Sequence, residues 1–147
     1  MKNERGSTIV TAVVVGMILT ILVVACFAIA SSYHMRSLKN HQERQAYLTA
    51  RAIVDTISTQ IQAGNADFIP HENTPIHFPD IQLTNDTCDE RKATITLERS
   101  DIIVIVGTAT HFGKIQEIQL TMQKDSTTNQ WQNSQYSHKG ESAYEME

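Results

Sequence analysis

Charge is distributed very unevenly along this chain. After the opening MKNERG, no residue from Ser7 to Met35 carries a full charge, and the next charge is Arg36. Most polar interruptions in that run, at Ser7, Thr8, Thr11, Thr20, Ser31 and Ser32, are short hydroxyls that can bond back to their own helix. A bilayer core takes about 20 apolar residues as helix, whereas the apolar core of an export signal is about 7–15 residues long. Residues 7–35 are therefore predicted to form a membrane-spanning helix. Residues 36–64 contain no proline, and Tyr47, Ala50, Val54, Ile57 and Ile61 recur at spacings of three and four. That is one apolar stripe of an amphipathic helical stem, with Glu43, Arg44, Arg51, Asp55 and Gln60 on the other side and Gly64-Asn65 as a stop. One helix from Ser7 to about Ala63 would be on the order of 80 Å long.

The pattern then changes period. Residues 65–90 hold all three prolines, which break a helix and predict an irregular loop. Residues 91–125 carry three runs of strand composition. KATITLE alternates Ala93, Ile95 and Leu97 against polar neighbours, DIIVIVGTATH is nearly continuously apolar, and GKIQEIQLTMQKD alternates Ile118, Leu120 and Met122. Arg99-Ser100-Asp101 and Phe112-Gly113 supply short turns, so an antiparallel three-stranded sheet is expected. Such a sheet needs cover on one face, and the stem stripe is the candidate. Residues 126–147 are low in aliphatics and rich in Ser, Gln and Asn, a composition that predicts a disordered tail without assigned contacts for Trp131, Tyr136 or Tyr144. The expected fold class is α+β: a long N-terminal helix packed on a small antiparallel sheet.

Composition narrows the chemistry. The net charge is -4 and the pI about 5.8, so no basic field points to nucleic acid. Cys26 lies in the apolar run and Cys88 in the polar part, which argues against a disulfide between them. His71, Glu72 and His77 match no zinc or facial-triad spacing. Asp86, Asp89 and Glu90 lack the spacing and glycine of an EF-hand. With no phosphate loop, nucleophile elbow or His-Glu-x-x-His motif, the chain is expected to be no enzyme and to need no cofactor or metal.

The N-terminus admits several fates. AIA at 28–30 fits a signal-peptidase site and VVAC at 23–26 loosely fits a lipoprotein box, but both sit inside continuing apolar sequence. KNERG followed by STIVTAVVVGMILTILVV resembles the class III leader of type IV pilins and type II secretion pseudopilins. The resemblance covers about the first 60 residues. It implies a leader over 1–6, cleavage between Gly6 and Ser7 by a prepilin peptidase, and a retained helix. It also implies other pilin-like subunits and membrane lipid as partners. Its single-pass anchor would leave the C-terminal part extracytoplasmic until the subunit enters a cell-surface filament of a bacterial pilus, competence or secretion machine. Family members usually carry glutamate where this chain has Thr11. Lack of it is typical of minor subunits thought to sit at filament tips, and the RG-S-x-(I/V)-(V/L)-T start also looks like minor pilin-like proteins of Gram-positive bacteria. Ser7 replaces the usual Phe or Met, and the proline often found in the apolar helix is absent. The alternative is a plain single-pass anchored interaction domain. Lys2 and Arg5 precede the span but Arg36, Lys39, Arg44 and Arg51 come after it, and the positive-inside rule alone would put the C-terminal part in the cytosol.

Overall fold

The computed structural model describes residues 4–71, 74–84 and 87–140. Residues 1–3 of the expected leader, Glu72, Asp86 and residues 141–147 with Tyr144 lie outside the described residues. One helix, α1 (Glu4–Gln62), runs 59 residues without a break and contributes to two compact units, one up to Asn40 and one from His41 onward. It ends as the sequence predicts. Gly64 takes a left-handed φ of 79°, its N–H reaches the Ile61 carbonyl (3.0 Å), and the Asn65 N–H reaches that of Gln60 (3.1 Å). This paired return is the Schellman arrangement, which satisfies carbonyls that the helix end would otherwise leave open.

The second unit holds the α1 residues from His41 onward, a short 3-10 turn (Ala66–Phe68) and five strands. These are β1 (Ile76–Phe78), β2 (Glu90–Arg99), β3 (Ile102–His111), β4 (Lys114–Lys124) and β5 (Trp131–Gly140). The order is β1-β2-β3-β4-β5 and every neighbouring pair is antiparallel. The meander expected over 91–125 is present as β2, β3 and β4, but the sheet has five strands rather than three. β1 lies in the segment expected to be irregular, held between Pro75 and Pro79 and paired to β2 through Ile76–Ile95 and Phe78–Ala93. Proline on either side of a short outer strand is the placement that costs no ladder bond.

β5 corrects the expected tail more strongly, because nine of its ten residues pair along β4 despite their polar composition. Thr121 faces Gln135 and Met122 faces Asn133, so Ser134 is an extra residue that bulges the strand.

Alternation sorts the sheet into two faces. Ile95, Ile103, Ile105, Ile118, Leu120 and Met122 are fully buried against Ile53, Val54, Ile57 and Ile61 of α1. The far face carries Thr94, Val106, Gln119 and Ser137 in register, mostly hydroxyl and amide groups. Helix and sheet come closest at Gly107 of β3. A Cβ built there would lie 2.6 Å from Val54 Cγ2 and 3.0 Å from the Ala50 carbonyl oxygen.

Candidate functional site

Two surfaces carry chemistry: the apolar part of α1, and the seam where α1 meets the sheet. In the first, the large apolar side chains from Ile9 to Leu38 are 45–77 % exposed, on every side of the helix. Two hydroxyls within it are turned inward on the backbone, with Thr20 Oγ1 donating to the Gly16 carbonyl (2.8 Å) and Ser32 Oγ to that of Ala28 (3.0 Å). Exposing such side chains to water forgoes about 1.5–3 kcal/mol each, so this surface calls for an apolar environment. It is long and apolar enough to cross a membrane. Gly6 and Ser7 fall within α1, and Thr11 is an exposed residue of it.

At the seam, the stripe predicted from spacing lies where it was expected. Ala50, Val54, Ile57 and Ile61 are buried in the core, and Tyr47 is half-buried with its ring edge-on to His138 at 5.2 Å. The spacing argument missed Ala46 and Ile53, which are just as buried and form the neighbouring row of the same helix face. A polar clasp that sequence reasoning did not find ties α1 to β5. Tyr136 donates its hydroxyl to Asp55 (2.8 Å), Arg51 Nε donates to the other Asp55 oxygen (3.0 Å), and the guanidinium lies 3.4 Å from the centre of the Tyr136 ring. Burial, then the bond to Asp55, pushes the Tyr136 phenol above its ordinary value. For Arg51, burial pulls the pKa down, but the Asp55 bond and charge outweigh it and hold the group higher than usual. Farther along, Gln62 Nε2 donates to Asn133 (3.1 Å).

The described members of the candidate ligand clusters make other contacts. His77 Nδ1 is 3.1 Å from Thr94 Oγ1, His71 bridges Thr74, and Asp89 accepts the Phe112 N–H (2.8 Å). Among the described residues no group of three potential ligands could hold a metal ion. Cys88 is buried and its thiol donates to Thr49 Oγ1 (3.3 Å). A groove of about 260 Å³ beside α1 is lined by Ile53, Ile57, Phe68, Phe78, Ile81 and Leu83, with Thr56 and Asp80 as its polar members. Its one hydroxyl, Thr56 Oγ1, donates to the Ala52 carbonyl of its own helix (2.7 Å). Comparison with protein-family models, with curated proteins and with solved structures finds no match to this chain.

Proposed function

We propose that this chain is a minor structural subunit of the type IV pilin-like kind, serving a pilus, competence or type II secretion-like filament. The observation that carries the reading is α1 itself: a single unbroken helix, exposed and apolar over its first half, buries a stripe beneath an antiparallel sheet over its second. The leader-like KNERG before Ser7 adds the expected cut after Gly6. In this reading the apolar half holds the subunit in the bilayer and then packs among like helices, while the sheet domain stays outside the cytoplasm. Thr11 lacks the charge with which a glutamate would neutralise a neighbour's buried amine. The subunit therefore suits a filament's leading end, where no such neighbour exists, and should be scarce in sheared filaments.

The test is co-expression with a prepilin peptidase, followed by N-terminal sequencing. The mature chain should begin at Ser7, and Gly6→Phe should block the cut. A terminus at Ser31, a lipidated Cys26, or an uncut chain would refute the reading. A second reading, a single-pass anchored domain facing the cytosol, is favoured by the basic flank after the span. That flank is thinner than it looks from sequence. Arg51, one of its four cations, is engaged with Asp55 and Tyr136.

A further inference from the structure

Among the described residues from His41 onward, the only large hydrophobic side chains left exposed are Leu48, Phe112 and Ile115. Two of these three share one hairpin tip, the β3–β4 turn, where Phe112 is 69 % and Ile115 59 % exposed. The turn has two residues between the paired His111 and Lys114, and both Phe112 (φ 48°) and Gly113 (φ 74°) are left-handed, as a primed type I hairpin turn requires. Glycine suits the second place. The first ordinarily goes to Asn, Asp or Gly, so a bulky aromatic held there is a costly choice that points to a use.

The tip is also held by local contacts. The Phe112 N–H is fixed by Asp89, and its ring stands edge-on to His111 at 4.7 Å. Nearby charges are engaged, with Lys114 3.9 Å from Glu43 and Lys92 2.8 Å from Glu90. The Lys114–Glu43 contact places the tip at the end of the sheet domain where α1 enters it. Glu43 lies eight residues beyond Met35, the last residue of the charge-free run, about 12 Å of helix. The tip's contact residue on α1 is thus separated from the charge-free run by only about 12 Å of helix.

We propose that Phe112 and Ile115 form a lipid-contacting tip that docks the sheet domain onto the membrane while the chain is anchored by α1. The contact would be apolar, with the aromatic ring among headgroups and the upper acyl chains, where such side chains are favoured. This inference rests on α1 residing in the bilayer and is indifferent to the filament assignment and to which side the domain faces.

The experiment uses the full chain in phosphatidylcholine–phosphatidylglycerol vesicles, first floated on a density gradient. A Phe112→Trp, Trp131→Phe variant is then read by fluorescence with lipid brominated near the headgroup end of its acyl chains. The native protein is the control, because Trp131 stands beside Lys124 at the other end of β4, about 30 Å along the strand. The indole at position 112 should be blue-shifted and quenched by the brominated lipid, with Trp131 of the native protein unaffected. Phe112→Gly, which removes the strained aromatic, should leave the sheet domain at least as stable to heat while making it more accessible to protease at the vesicle surface. A floating chain whose indole at 112 is unquenched by lipid but quenched by aqueous iodide overturns the docking tip alone. A chain that does not float overturns the anchor and the tip together.

Discussion

Replacing Gly107 by alanine tests the helix-on-sheet packing at its tightest point. The added Cβ would stand 2.6 Å from Val54 Cγ2, about 1 Å inside the ordinary 3.5–4.0 Å carbon contact. Val54 cannot swing aside, because a β-branched residue in a helix has one strongly preferred rotamer. The second obstacle, the Ala50 carbonyl oxygen at 3.0 Å, is backbone and can move only with the helix. Overpacking of this kind costs about 1–3 kcal/mol. Against it stands the gain from replacing glycine where the backbone is compatible, about 0.4–1 kcal/mol, so the clash wins. A net loss of roughly 1–2 kcal/mol corresponds to a fall in Tm of about 5–15 °C for a domain near 100 residues. The measurement is thermal unfolding of the full chain in detergent micelles, monitored by near-ultraviolet circular dichroism. Val54→Ala in the Gly107→Ala background should recover about 1 kcal/mol relative to the sum of the single changes, since both act at one contact. A Gly107→Ala protein as stable as the parent, or a strictly additive double variant, would refute the close approach.

Tyr136→Phe removes the hydroxyl bonded to Asp55 and should cost about 1 kcal/mol at neutral pH, less than a fully buried bond to a charge because Asp55 is partly exposed. Because folding raises this phenol above 10.0, the contribution is complete below that value and is lost as pH climbs through the higher folded one, an alkaline loss the Phe variant should lack in a pH series of melts. Asp125 goes the other way: backbone N–H groups of Thr127 and then Thr128 hold it below 3.8, so its contribution is complete above 3.8 and is lost as pH falls through the lower folded value. Asp125→Asn should flatten the acid limb of the stability profile there, and an unchanged limb would refute the assignment. For orientation, Cys88 is too buried to label, so the probe belongs at the exposed β2–β3 turn, as Ser100→Cys with Cys26→Ser. Reaction with an impermeant maleimide in intact cells places the domain outside the cytoplasm, and reaction only after lysis places it inside.

The long helix and the central meander were legible because their periods are uninterrupted: no charge from Ser7 to Met35, a stripe from Tyr47 to Ile61, and alternation through Ile95, Ile105 and Leu120. The outer strands were not. β1 is three residues long among prolines, and its existence depends on a partner that local sequence does not name. β5 has almost no aliphatic side chains, which reads as disorder when composition is the guide. Its inward positions are nonetheless Trp131, Asn133, Tyr136 and His138, an alternation broken by one residue at the Ser134 bulge. Read with that skip, the aromatics would have revealed the strand. The Asp55–Tyr136 clasp was illegible for a different reason, since its partners are 81 residues apart and no local period links them.

The bulge at Ser134 bears on crowding. An anchored protein is confined to a plane, where copies meet far more often than they would at the same abundance in solution. A sheet with long, regular margins would turn those encounters into runaway strand-to-strand growth. Here one margin is three residues between prolines, and the other is polar and broken at Ser134. Neither offers a long straight template. In a membrane-anchored chain, copies meeting in the bilayer plane would thus find edges unsuited to amyloid-like stacking.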